Sequence, residues 1–261
     1  MNNIQLESFG NNKEGIKISV ITATFNSVLT IDDCLSSLAQ QSYKNYEHIV
    51  IDGGSNDGTL DILRRRKSTL AKLISEPDKG IYDALNKGIE HATGDVIGFL
   101  HSDDMYGDSS ILEHIANAFT DPSIIAVYGD LDYVRRRSFD KVVRRWKSSE
   151  FSIEDLRRGW MPPHPTLYVK TSWYKKNGGF DIKYKISADY SSILKMFNEK
   201  NFKSKYIPMV FIKMRLGGIS NRSFRNILLK SSEDLDALKS TGVGGRGTFF
   251  YKNFRKIIQF L

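Results

Sequence analysis

Between Gly94 and Leu100 the chain reads Gly-Asp-Val-Ile-Gly-Phe-Leu, and His101-Ser102 then lead into two adjacent carboxylates, Asp103 and Asp104. An apolar run of this length, with glycine before it and polar residues after it, suits a central strand covered on both faces. In open α/β sheets ligands bind beyond the carboxyl ends of such strands. Two carboxylates side by side repel each other, and the pattern admits two readings. One is a hard divalent cation carrying a phosphorylated ligand, since Mg²⁺ or Mn²⁺ takes oxygens from one or two carboxylates plus substrate phosphates. The other is a solvated turn, or an N-cap before a helix that starts near Ile111.

Upstream, β-branched runs alternate with helical patterns. Ile16 to Thr22 reads as a strand closed by the polar loop Ala23 to Ser27. Thr30 is placed to cap a helix with Asp33 three residues on and Ile31, Leu35 and Leu38 on one face. Tyr46 to Ile51 is a second strand ending in Asp52-Gly53-Gly54-Ser55; a helix over Leu60 to Arg66 and a short strand over Leu73 to Glu76 follow. From Gly80 to Ala92, residues Ile81, Ala84, Leu85, Gly88, Ile89 and Ala92 keep a helical period. Strands alternating with helices imply right-handed crossovers and a mostly parallel sheet, an α/β fold. The polar loops then open onto one edge, so Thr22 to Asn26, Asp52 to Thr59, Asp78 and Ser102 to Asp104 ring a single crevice.

Beyond Asp104 the alternation loosens. A helix over Ile111 to Phe119 precedes a strand at Ile124 to Val134, with Val142 to Trp146 returning antiparallel across the arginine turn. Met161-Pro162-Pro163-His164-Pro165 is a rigid loop before a strand at Thr166 to Val169. Ile186 to Asn198 reads as a helix, with Asp189 in its first turn. A strand over Lys205 to Met214, a helix over Phe224 to Lys239, a glycine-rich break and an aromatic-basic segment from Phe249 to Leu261 complete the chain.

Composition narrows the function classes. With 261 residues, 40% hydrophobic and 26% charged, the chain is of ordinary globular make-up, and no stretch reaches the ~18 apolar residues of a spanning helix. The Asn-rich N-terminus does not resemble a secretory signal. Cys34 stands alone at helical spacing with Leu35 and Leu38, which fits a core position in a reducing cytoplasm. A net charge of +8 implies an anionic partner. The short arginine runs lack zinc spacing, RNA-binding aromatics or a helix-turn-helix pattern, so no nucleic-acid partner is expected. Phospholipid head groups or a pyrophosphate-bearing substrate account for the excess as well.

Several residues are placed for chemistry. Asp52, at a strand end before two glycines, can accept a hydrogen bond from a ring imide N–H, or it can be a plain turn residue. No Gly-Lys-Ser/Thr ending or Gly-x-Gly-x-x-Gly accompanies these loops, which removes the main support for ATPase and NAD readings. Asp189 in a helix's first turn is favoured as an ionised acid, and is either a general base for an attacking hydroxyl or a capping residue. His164 is a substrate contact or a turn residue.

Four motifs in order carry a resemblance: Ile-Thr-Ala-Thr-Phe-Asn at 21–26, Ile-Asp-Gly-Gly-Ser-Asn-Asp-Gly-Thr at 51–59, Glu-Pro-Asp-Lys-Gly-Ile-Tyr-Asp-Ala-Leu-Asn-Lys-Gly at 76–88, and Ser-Asp-Asp at 102–104. With Gly-Gly-Phe-Asp at 178–181 and Ala-Asp at 188–189, the chain from about Lys17 to Gly218 resembles the family 2 glycosyltransferases of the GT-A fold. The likeness is nearest to bacterial enzymes that build O-antigen or exopolysaccharide on a polyprenyl-pyrophosphate carrier. It implies a Rossmann-like nucleotide-sugar-binding half at 16–104 and an acceptor-binding and catalytic half at 105–218. A flexible stretch at 1–15 and a helical extension at 219–261 flank them. It implies inverting transfer from a nucleoside-diphosphate sugar, with a UDP-sugar expected, to a hydroxyl of a lipid-linked saccharide.

Carried over by position, Asp52 would hold the base, while Thr22, Thr24, Asn26, Ser55 and Asp78 would line the nucleotide. Asp103 would sit by the ribose or donor sugar, Asp104 would bind Mn²⁺ or Mg²⁺, Asp189 would be the base, and His164 and Trp160 would meet the acceptor. Two positions depart from the family pattern: Ser102 replaces a first metal-motif carboxylate, and Ala188 replaces a Glu before the base. The rival readings are a nucleotidyltransferase on a similar sheet and a non-enzymatic basic membrane- or nucleic-acid-binding module. If Phe249 to Leu261 is helical, Phe250, Phe254, Ile257, Ile258 and Leu261 form an apolar stripe beside Lys252, Arg255 and Lys256. That pattern predicts a peripheral anchor on the cytoplasmic face of the inner membrane, or else packing on the chain's own core.

Overall fold

The computed structural model describes residues 15–136, 138–216 and 224–258, with side chains left aside at 138–140, 224 and 253–258. The expected flexible stretch at 1–15 therefore lies, save for Gly15, outside the described residues. In chain order the first half comprises β1 (Ile18–Thr24), α1 (Ile31–Ala39), β2 (Tyr46–Asp52), α2 (Thr59–Arg65), β3 (Lys72–Ser75), α3 (Ile81–His91) and β4 (Val96–Phe99). β2 and β4 pair parallel on either side of β1, and β3 pairs parallel with β2. β1 is buried throughout because its two faces alternate: Ile18 and Val20 enter one core cluster, Ile21 and Ala23 the other. The expected parallel α/β layout holds in this half. α3 lies close on β1, since a Cβ at Gly88 would overlap Ile21.

The second half comprises β5 (Asp104–Tyr106), α4 (Ile111–Ala118), β6 (Ala126–Arg135), β7 (Ser138–Trp146), α5 (Ile153–Arg157), β8 (Tyr168–Lys170), α6 (Thr171–Asn177), α7 (Ala188–Phe197), β9 (Ser204–Arg215), α8 (Phe224–Ser240) and α9 (Arg246–Ile258). One mixed sheet runs through both halves in the order β3-β2-β1-β4-β8-β6-β9-β5, with β7 alongside β6. β8 is antiparallel to both β4 and β6, β6 runs parallel to β9, and β5 pairs antiparallel with β9.

Some local expectations change. Asp104 opens a strand paired to Met214 rather than a solvated turn or a helix cap. Thr30 makes no side-chain cap on α1; its hydroxyl donates to Ser27 O at 3.4 Å, and Asp33 instead accepts from Arg215 Nη2 at 2.5 Å. Cys34 is buried, as its spacing predicts.

The C-terminal helices are part of the core. Ala237, Leu238 and Val243 join the same cluster as Ile193 and Leu194 of α7. Lys252 is 3% exposed and pairs with Asp234, also 3% exposed, at 2.7 Å. Of the two expectations for this segment, core packing describes Lys252: α9 is helical, and Lys252 points into the protein rather than toward a surface. Phe250 and Tyr251 are exposed, whereas Phe254, Ile257, Ile258 and Leu261 lie outside the described side chains. Among the described residues no helix is long and apolar enough to cross a membrane.

Candidate active site

The carboxyl ends of β1, β2 and β4 form the floor of the crevice. Asp52 ends β2 fully buried. Its Oδ1 accepts from Ser55 Oγ at 2.5 Å, its Oδ2 accepts from Ser75 Oγ at 2.6 Å, and the Ser55 N–H donates to both. These bonds make Asp52 a brace for the loop and take three of the roughly four lone-pair sites of a carboxylate. Ser55 is likewise a brace, because its hydroxyl also accepts from the Asn26 N–H at 2.8 Å.

The neighbouring glycine opens a different arrangement. A Cβ at Gly53 would stand 2.5 Å from Asp78 Oδ2 and 3.5 Å from Phe25 Cδ2. The missing side chain therefore lets the Asp78 carboxylate and the Phe25 ring, 60% exposed, border one hollow. Asp78 is held there by the Gly80 N–H, which donates to Oδ1 at 2.8 Å. Thr22 does not reach this hollow. It is fully buried, its hydroxyl donates to Leu100 O at 2.7 Å, and His48 Nε2 lies 2.9 Å away. Thr24 is buried as well. Asn26, at a φ of 50°, accepts the Asn56 N–H on Oδ1 at 3.0 Å and so ties the β1 loop to the β2 loop.

The two adjacent aspartates part company. Asp104 is 1% exposed. Burial, then the charge of Asp103, push its pKa well above the carboxylate range, against the Arg215 charge and a hydrogen bond from the Arg215 backbone, which lower it. Asp103 is half-buried on the crevice side. Its backbone carbonyl is fixed by Arg215 Nη1 at 2.9 Å. Asp103 is thus the more open of the two carboxylates and Asp104 the more enclosed. Among the described residues no three His, Cys, Asp or Glu side chains gather as a metal cage. A cation here would take its other ligands from phosphate oxygens and water, as Mg²⁺ and Mn²⁺ do.

Asp189 faces the same crevice from α7. The hydroxyl of Tyr82, in the first turn of α3, lies 3.0 Å from Asp189 Oδ1 and 2.6 Å from Ile186 O, so one proton is shared between two acceptors. Burial, reinforced by the Asp189 charge, raises the Tyr82 pKa and keeps that hydroxyl a donor. His101 stands where the charges of Asp103 and Asp189 both act on it, although burial holds its pKa below the usual histidine range. His164 is buried and stacked 5.5 Å from Phe99; burial lowers its pKa to about 4, and its Nε2 has no partner. Trp160 is 8% exposed and packed on Tyr128, Phe151 and Phe197, so the expected acceptor contact becomes a core residue. Tyr82, Phe25 and His101 escaped the sequence reading. Their signal was position, since each flanks a strand end or a helix start on the crevice edge.

These features define an enzyme site at the carboxyl edge of an α/β sheet, with one carboxylate at a strand end and another on the facing helix. The chain matches the model of glycosyl transferase family 2 over residues 19–217, and it belongs to that family. It is a glycosyltransferase, and the nucleotidyltransferase and binding-module readings fall away. It is 33% identical over 180 residues to a glycosyltransferase of Mycobacterium tuberculosis, covering 68% of each chain. A PGL/p-HBAD biosynthesis glycosyltransferase of the same species is 30% identical over 210 residues, 78% of each chain. The fold is that of TarS from S. aureus, solved with UDP-GlcNAc, at a TM-score of 0.69 and 19% identity. That match covers 87% of this chain and 66% of that chain, so the present chain spans just under two thirds of TarS as solved. A mannosyltransferase from Pyrobaculum calidifontis, solved with GDP-Man and Mn²⁺, matches at a TM-score of 0.65 and 21% identity, over 93% of this chain and 70% of that one.

Proposed function

We propose that the protein transfers a sugar, with inversion, from a nucleoside-diphosphate sugar to a hydroxyl of a saccharide acceptor. The observation that carries this reading is the hydrogen bond at 3.0 Å from Tyr82 on α3, in the first half of the chain, to Asp189 on α7, in the second. The acceptor oxygen attacks the anomeric carbon, Asp189 takes its proton, and the bond to the diphosphate breaks as the new glycosidic bond forms. Tyr82 steers the Asp189 carboxylate through their hydrogen bond. A bound Mn²⁺ or Mg²⁺, held by Asp103 and the diphosphate, would act as a Lewis acid toward the leaving charge.

Phe25 offers a face on which a base can stack, and Asp78 a carboxylate that accepts from the imide N–H of uracil or the N1–H of guanine. Adenine and cytosine have no such ring donor. The solved relatives bound to UDP-GlcNAc and GDP-Man are of both accepted kinds. The acceptor is a glycan on a lipid-pyrophosphate carrier, consistent with the +8 charge and the exposed Phe250 and Tyr251 at a cytoplasmic membrane surface.

Calorimetry with UDP, GDP, ADP and CDP in the presence of Mn²⁺ tests the reading. UDP or GDP should bind, and Asp78→Asn and Asp103→Asn should each weaken that binding about 10- to 100-fold, the worth of one hydrogen bond to a charged group. Binding of ADP as tight as that of UDP and GDP would refute the base assignment, and absence of nucleotide binding would refute the function.

A further inference from the structure

The segment that carries Asp189 is held from outside the family-matched region. Glu233 of α8 is 8% exposed. Its Oε1 accepts the Lys185 N–H at 2.8 Å, and its Oε2 accepts the N–H groups of Ile186 and Ser187 at 2.9 Å each. These amides lead directly into α7, where Ser187 makes no side-chain cap of its own. Glu233 thus does from a distant helix what a capping side chain does locally. Charge-assisted bonds of this kind are roughly twice as strong as neutral ones.

α8 is anchored in turn by its neighbours. Asp234 pairs with Lys252 of α9 at 2.7 Å. The Lys252 ammonium lies 3.1 Å from the ring centroid of Tyr190, the residue after Asp189. Tyr184, three residues before Ser187, donates its hydroxyl to Asp236 Oδ2 at 2.6 Å. Three acidic residues of α8 therefore grip 184–190, while Tyr82 meets Asp189 from the opposite side.

We infer that Glu233 is a positioning residue: it fixes the α7 entry so that the Asp189 carboxylate meets the attacking hydroxyl. This rests on the reading of Asp189 as the base. A general base acts only within hydrogen-bond reach of the proton it takes, and a displacement near 1 Å costs up to about 100-fold in rate.

Glu233→Ala and Glu233→Gln in the full chain test it, the second keeping one acceptor oxygen and nearly the same volume. Hydrogen exchange at 185–187 should quicken by at least about tenfold in Glu233→Ala and by less in Glu233→Gln, from the loss of charged hydrogen bonds. UDP or GDP affinity with Mn²⁺ should stay at the wild-type value. Nucleoside-diphosphate release from UDP-GlcNAc or GDP-mannose, with water as the accepting hydroxyl, should fall in kcat by about 10- to 100-fold with donor KM unchanged. Unchanged exchange, faster exchange with wild-type kcat, or a joint loss of kcat and nucleotide affinity would each overturn the inference. Asp189→Asn run beside them separates the two readings. If it turns over like wild type while the Glu233 variants still exchange faster, the base assignment fails and the positioning role fails with it. A wild-type chain that releases no nucleotide from either donor overturns both.

Discussion

At Asp104 the carboxylate is sealed at the sheet edge, and burial, then the charge of Asp103, raise its pKa and favour the neutral acid. An amide has nearly the same shape as that neutral acid. Asp104→Asn should therefore keep the fold and bind UDP or GDP with Mn²⁺ to within about twofold of wild type, whereas Asp103→Asn should not. A loss in Asp104→Asn as large as in Asp103→Asn, measured by calorimetry, would return the cation to Asp104. On the facing helix, Asp189→Asn should leave nucleotide binding intact and slow transfer by at least about 100-fold, the lower range for a general base. The sequence made the adjacent carboxylates legible as a site, but not which of them faces the crevice. That choice is set by the pairing of Asp104 with Met214 on β9, more than a hundred residues later, and no local period encodes it. For the same reason the bracing role of Asp52 was not legible: the hydroxyl that donates to its Oδ2 comes from Ser75 on another strand.

Elements with enough turns or alternations to show a period were readable. α3, α7 and α8, and the strands β1, β2, β6 and β9, all fall near their expected bounds. β5, with three residues, and α5, with five, are too short for any periodicity to register. α9 was legible as a helix, but the choice between anchor and core packing was not, because the ion pair that draws it inward joins Lys252 to a residue on α8. Deleting 246–261 would remove the Lys252 ammonium and leave Asp234 with Lys230, 3.1 Å away, and the Ser187 hydroxyl. Such a deletion should cost about 3 kcal/mol, the lower end for breaking a buried pair. Urea unfolding measures it, and a truncated chain as stable as the full one would show that α9 is dispensable to the fold. Phe250→Ser with Tyr251→Ser leaves the ion pair alone and is the cleaner probe of vesicle attachment.

Across the whole molecule, the parallel half follows from strand–helix alternation, while the mixed half depends on β8 entering between β4 and β6, a long-range choice that two short antiparallel pairings make. The result encloses histidines in places that disfavour charge. Burial lowers His48 to about 3 and His164 to about 4. In the unfolded chain both return to an ordinary pKa near 6.5. Between those values the unfolded state binds more protons than the native state, so stability is fully present above pH 6.5 and is lost as pH falls toward 4. Each histidine contributes a slope of up to ~1.4 kcal/mol per pH unit across that window. Glu47 adds a deeper step. Burial opposes its ionisation, but hydrogen bonds from Ser19 and Thr93 and the Lys17 ammonium outweigh burial and hold it at about 2. Its contribution therefore persists to pH 4.5 and disappears only below. From pH 7 to pH 5 the unfolding free energy should drop by roughly 2–4 kcal/mol, from the two histidines alone. Urea midpoints at pH 7, 6 and 5 read this directly. His48→Gln, which cannot take up a proton, should remove about half of the slope. A stability that is flat from pH 7 to pH 5 would mean that neither histidine is held neutral by the fold.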